Sequence, residues 1–144
     1  MSQIPINIFT ENIDYSLENI NSVRAWIKTC ILNENNRLTE INYIFCSDEY
    51  LLGLNQTYLS HNTYTDILTF DHSIKKNYIE GDIFISPERV SENAIKFKSD
   101  ESAEMHRVMI HGVLHLCGFK DRTAEEKLKM RALEDQYLLR RPFK

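Results

Sequence analysis

The sequence predicts an α+β fold, a single compact domain in which a mixed sheet of about four strands is surrounded by helices. Two patterns predict it. Segments with the two-residue period of strands alternate with segments of helical period, and no repeat, low-complexity tract or Pro/Gly-rich linker divides them. A long apolar stretch over 99–117 reads as a buried central helix, and it carries two histidines four residues apart just before a glycine. With 144 residues and 42% hydrophobic content, the chain has apolar material for one sizeable core and too little for two.

In chain order, residues 4–9 place Ile4, Ile6 and Ile8 on one face of a strand. Over 17–32, Ile20, Val23, Trp26, Ile27, Cys30 and Ile31 recur at three- and four-residue intervals, so an amphipathic helix is expected, ended by the polar run 33–36. Residues 38–46 return to strand character, with Ile41, Tyr43 and Phe45 facing together. Ser47 or Asp48 then caps a short helix through Leu54, with Glu49 in its first turn, where the dipole favours an anion. Residues 67–70 and 79–86 are β-rich, and the polar loop 71–78 between them predicts antiparallel neighbours. Ser86, Pro87 and Glu88 open a helix to about Phe97: a hydroxyl cap, a proline that needs no amide donor, and an acid in the first turn. Residues 98–100 separate it from the histidine helix. Thr123 caps a last helix over 124–139, with Glu126 placed for a capping box and Leu128, Leu133, Tyr137 and Leu138 available for docking.

The histidine helix carries the chemistry. At 100° per residue, Met105, Val108, Met109, Gly112, Val113 and Leu116 form the stripe that meets the core. His111 and His115 fall together at one edge of it, with Glu104 above them, while His106 points the opposite way. Gly118 ends the helix and lets the chain reverse, bringing Asp121 back towards the imidazoles. Two neutral imidazoles and a carboxylate make a first-row metal site that suits one zinc ion per chain, with a position left for water; nickel, cobalt and iron fit the same donors. The plain alternative is a buried helix that happens to carry two histidines. Glu104 and Asp66 are candidates for a general base or for a partner that orients a ligand. His61 and His72 are read as surface-loop histidines, and Cys117, turned well away from the histidines on the helix, as core.

Three cysteines, Cys30, Cys46 and Cys117, form no CxxC pair, and the first ten residues have neither a basic lead-in nor an apolar core. A cytoplasmic protein with reduced thiols is therefore expected. No run is long and apolar enough to span a membrane, so no membrane partner is expected. The net charge of −4 and pI near 5.7 argue against bulk electrostatic attraction to nucleic acid, and no DNA partner is expected. RNA contact must come from a local patch, with Lys75, Lys76, Lys96, Lys98, Arg107, Lys120, Arg122, Arg140 and Arg141 as candidates. There is no HExxH, because Gly112 follows His111, so the glutamate base of zinc proteases is absent.

The segment His111-Gly112-Val113-Leu114-His115-Leu116-Cys117-Gly118-Phe119 resembles the His-Gly-x-Leu-His-x-x-Gly-(Tyr/Phe)-Asp-His motif of the YbeY family of metal-dependent rRNA-maturation endoribonucleases. Leu54-Asn55, the block Thr65-Asp66-Ile67-Leu68-Thr69-Phe70 and the strand Gly81-Asp82-Ile83-Phe84-Ile85 resemble other parts of that family's pattern. The resemblance covers residues from about Leu54 to Leu139. It implies a single metal-dependent endoribonuclease-like domain over 1–144, cleaving single-stranded RNA in small-subunit rRNA 3′-end processing and ribosome quality control, with ribosomal RNA and the small subunit as partners.

The catalytic set is then His111, His115, Asp121 and Asp66, with His111, His115 and Asp121 on the metal. Three positions depart from the pattern. Lys120 stands where the family has Asp, Asp121 where it has its third metal-binding His, and Leu59 where it has an arginine thought important for cleavage. An anionic third ligand lowers the charge at the metal and makes its bound water a weaker acid. Leucine cannot stabilise a phosphorane-like transition state, so Arg107, Lys120 or Arg122 must substitute or cleavage is weaker. Two other readings stand beside this one: a hydrolase of another substrate, and a ribosome-assembly factor that binds metal and cleaves poorly.

Overall fold

The computed structural model describes residues 3–61 and 63–143. Strand β1 (Ile6–Glu11) leads into helix α1 (Ile20–Asn33) and strand β2 (Arg37–Cys46). Helix α2 (Asp48–Leu59) follows, then strands β3 (Ile67–Asp71) and β4 (Tyr78–Ile85). Three helices close the chain: α3 (Pro87–Lys96), α4 (Glu101–Leu116) and α5 (Ala124–Leu139). The strands form one sheet in the order β1-β2-β4-β3. β1 and β2 are parallel, with Ile6 opposite Ile41, and so are β2 and β4, with Tyr43 opposite Ile83. β3 runs antiparallel to β4, Ile67 opposite Ile85, as the intervening polar loop predicts, and lies at the sheet's edge.

Alternation along the strands sends Ile6, Ile41, Tyr43, Phe45, Ile83 and Ile85 into one core, where they meet α1 and α4. A smaller cluster, Cys46, Leu51 and Leu68 with Tyr50, Leu54, Phe70 and Phe84, is roofed by α2. Helix α4 is the centre of the packing: it touches α1, α3, α5, β3 and β4. Buried Met105, Met109, Ile110, Val113 and Leu114 account for that, each worth about 1.5–3 kcal/mol when taken from water. Two polar ties add direction. The Tyr43 hydroxyl donates to the Met109 carbonyl at 2.9 Å, and the Trp26 indole N–H donates to the Tyr137 carbonyl at 2.9 Å, joining α5 to α1. The end of α4 sits close on β4: a methyl added at Gly81 would lie 2.6 Å from the Phe70 carbonyl oxygen and 2.9 Å from a Leu116 methyl.

Three helices start at the expected caps, and Asp100, not singled out from the sequence, caps α4. Ser47 and Ser86 accept from Tyr50 N–H and Arg89 N–H, Asp100 accepts from Ala103 N–H, and Thr123 and Glu126 form a capping box. Two expectations are corrected. Helix α2 continues past Leu54 to Leu59, because buried Asn55 ties its side-chain amide to the Thr63 carbonyl at 2.8 Å, so a polar residue takes the place of an apolar anchor. Leu128 does not dock α5: it is 74% exposed. The buried stripe is Met130, Glu134 and Tyr137, and Leu128 lies about 200° around the helix from Met130.

His106, turned away from the other two helix histidines, is buried between the Trp26 and Phe143 rings, and its Nδ1 accepts from Arg141 at 2.8 Å. Burial, then the Arg141 charge, pushes its pKa down to about 4, against a weaker opposing pull from Asp100. The folded state therefore binds this proton less readily than the unfolded chain. The stability involved is present above about pH 6.5 and is lost as the pH falls towards 4, up to ~3 kcal/mol. Urea titrations from pH 7 to pH 4 are expected to show a smaller loss for His106→Gln than for the parent chain. Gly81→Ala is expected to lose about 1–3 kcal/mol at pH 7, measured the same way, because a backbone carbonyl cannot move aside as a side chain can.

Candidate metal centre

The site is built where α4 ends. The Gly118 amide donates to the His115 carbonyl at 2.9 Å and the Phe119 amide to the Leu114 carbonyl at 3.0 Å, the paired bonds that stop a helix by reversing the chain. That reversal needs a left-handed residue, and Gly118 supplies it at φ +104°. Residues 119–121 then run back along the helix and bring Asp121 to the imidazoles.

His111 Nε2 lies 3.2 Å and His115 Nε2 3.3 Å from Asp121 Oδ2, and the two ring nitrogens are 3.0 Å apart. Among the described residues this is the one group of His, Cys, Asp and Glu donors whose ligand atoms converge, all within 4.8 Å of one another. Tetrahedral ligands about 2.0–2.1 Å from a zinc-sized ion stand about 3.3 Å apart, so the spacing fits such a cation. Three electron-rich atoms drawn together repel unless a cation or a proton lies between them. The donor set thus fits a divalent first-row metal, and the residues predicted from the sequence are brought together.

His111 has a second partner. Its Nδ1 is 2.6 Å from Glu134 Oε2 of α5, and Glu134 Oε1 accepts from Arg107 Nη1 at 2.9 Å. Arg107 also donates from Nη2 to Asp135 at 2.6 Å. Burial alone would lower the His111 pKa, but the Glu134 hydrogen bond and charge, followed by Asp121 and Asp66, outweigh it and raise the pKa above its ordinary value. The sequence reading missed Glu134. Its signal was a charge at position i+4 from Met130 and i−3 from Tyr137, in an otherwise apolar stripe.

Two clefts open from the ligands. One, of about 640 Å³, runs along β3 and is lined by Leu59, Thr69, Lys120 and Arg122 as well as His111, His115 and Asp121. The other, of about 360 Å³, is walled by α3, α4 and α5 and includes Asn93, Phe97, Lys127 and Arg131. Asp66, at the start of β3, borders both along with His111 and Asp121. Burial raises its pKa, partly offset by backbone hydrogen bonding, the His111 charge and the Asn93 side chain. Leu59 faces the larger cleft, on whose walls Lys120 and Arg122 also stand, while Arg107 is held in its ion pairs.

Other candidates are placed elsewhere. Glu104 is buried and accepts from Ser99 Oγ at 3.4 Å; it borders the smaller cleft without joining the three ligands. His61 follows α2 on the surface, and His72 pairs with Asp82 at 3.0 Å in the β3–β4 connection. Cys117 packs on the core, and burial pushes its thiol up to about 12, which keeps it protonated and a poor ligand. Among the described residues no helix is long and apolar enough to cross a membrane.

Residues 6–141 match the family model for endoribonuclease YbeY. The endoribonuclease YbeY of Cytophaga hutchinsonii is 49% identical over 143 residues, covering 99% of this chain and 100% of that protein. That of Flavobacterium psychrophilum is 50% identical over 130 residues, covering 90% and 92%. A Thermotoga maritima protein solved in solution has the same fold, with a TM-score of 0.67 and 25% identity over 92% of this chain and 86% of that one. Ligand geometry, topology and sequence thus agree, and this chain belongs to the endoribonuclease YbeY family.

Proposed function

We propose that this chain is a zinc-dependent endoribonuclease that cuts single-stranded RNA in the cytoplasm. We place its work in rRNA maturation, at the 3′ end of the small-subunit rRNA, and in ribosome quality control. The observation that carries the reading is the meeting of His111 Nε2, His115 Nε2 and Asp121 Oδ2 where two clefts join, in a chain of an endoribonuclease family. The ribosomal substrate rests on the motif resemblance; the chemistry rests on the site.

When bound by His111, His115 and Asp121, one zinc ion supplies Lewis acidity for phosphodiester cleavage. The chain's own residues do the rest. Single-stranded RNA lies in the larger cleft along β3, where Lys120 and Arg122 meet its phosphates and offset the charge that builds in the transition state. They do the work that Leu59 cannot. Asp66, whose carboxylate burial makes a stronger base than an exposed one, takes the proton from the attacking hydroxyl or water. Lys127 and Arg131 receive the strand beyond the cut in the smaller cleft.

A second reading is favoured by one observation: Leu59 lines the larger cleft at the position where the family motif it resembles has arginine, which fits an assembly factor that binds metal but cleaves poorly. Cleavage of small-subunit rRNA by the purified chain, with and without chelator, separates the two. Metal-dependent cleavage abolished by His111→Ala is the expected result, with Lys120→Ala/Arg122→Ala slower by about a hundredfold. Stoichiometric zinc binding without cleavage would select the assembly factor, and turnover of another phosphoester alone would overturn both. A 2′,3′-cyclic phosphate at the new end marks attack by an RNA hydroxyl; its absence marks attack by water.

A further inference from the structure

Glu134 is only 4% exposed, on a helix most of whose surface is open to water. A carboxylate is costly to bury unless both oxygens are satisfied. Here they are divided between two helix-α4 side chains, one oxygen to His111 Nδ1 and the other to Arg107 Nη1. Side-chain exposures of 6% for Glu134, 16% for Arg107 and 21% for His111 keep the row out of bulk solvent.

We infer that Glu134 is a positioning residue for the metal centre, and that Arg107 holds it in that role. The inference rests on the metal-centre reading above and deepens it. A carboxylate only accepts, so at 2.6 Å the hydrogen of a neutral His111 ring must sit on Nδ1. That leaves the lone pair on Nε2, the nitrogen that faces Asp121 and His115. The opposite tautomer would set a lone pair against the carboxylate and a hydrogen where the cation belongs. A tether between α4 and α5 does not need this contact, because Arg107 already bridges to Glu134 and Asp135. Arg107 has a second effect: it offsets a negative charge that would otherwise add to the anionic ligand Asp121.

Glutamine exposes the arrangement. Two donors, His111 Nδ1–H and Arg107 Nη1–H, approach the two oxygens of Glu134, and an amide offers one acceptor and one donor group. In Glu134→Gln one of the two partners must lose its bond. Replacing Arg107 as well, in Arg107→Met/Glu134→Gln, frees the remaining oxygen for His111.

Zinc affinity of the full-length chain, measured by competition with a chromophoric chelator at fixed pH, is the first readout. Glu134→Gln is expected to bind zinc about 10–100-fold more weakly than the parent chain, with partial recovery in the double variant. Glu125→Gln, exposed on the same helix, is expected to change nothing. The second readout needs no variant: ring-nitrogen NMR of the metal-free parent chain at alkaline pH is expected to show His111 in the Nδ1–H form. A His111 ring in the Nε2–H form overturns the inference, as does a Glu134→Gln affinity within twofold of the parent. A parent chain that does not bind zinc at all overturns the metal-centre reading and this inference with it. Zinc binding by the parent with an indifferent Glu134→Gln overturns the inference alone.

Discussion

Everything in this molecule depends on one helix being buried on nearly all sides. Helix α4 is packed by the sheet, α1, α3 and α5, so its axial position and rotation are set by hydrocarbon contacts before any cation arrives. Drawing two imidazoles and a carboxylate to within 3.0–3.3 Å is unfavourable in itself. The apolar burial along α4 offsets that cost, and the site is thereby prepared in advance of its ligand.

The surroundings of the ligands are asymmetric in a way that suits their task. On the protein side, the Arg107–Glu134–His111 row is shielded and directional. On the open side, Asp66, Lys120 and Arg122 stand around a cleft of about 640 Å³. In the proposed function the first arrangement orients a ligand atom, and the second is where protons and phosphate charge are handled. Acidic groups nearest the imidazoles suit a divalent cation, and cations set further out suit an anionic polymer.

The acidic balance of the whole chain, −4, does not contradict a nucleic-acid substrate. Lys120, Arg122, Lys127 and Arg131 come from the loop after α4 and from α5, and tertiary structure gathers them around the two clefts. Net charge governs bulk attraction; placement governs the encounter at the site. Lys75, Lys76, Lys96 and Lys98, also candidates by residue type, line neither cleft.

The sequence by itself determined most of the secondary structure, the caps at Ser47, Ser86 and Thr123, and the three residues whose donor atoms converge. These depend on local spacing: helical period, hydroxyl-before-helix chemistry, and the His111, His115 and Gly118 order that brings Asp121 back within a few residues. Tertiary structure alone decided the rest. The strand order β1-β2-β4-β3, with β3 at the edge beside the metal centre, follows from which hydrophobic faces can be covered together. Glu134 was illegible because its partner lies 23 residues away on another helix, and a lone acid in an apolar stripe gives no sign of what it will meet. Leu128 failed for the converse reason: an apolar residue on the outer face of α5 has nothing to pack against, whatever its propensity. Local rules reach a few residues along the chain, and the contacts that orient a ligand or clear a cleft are made across it.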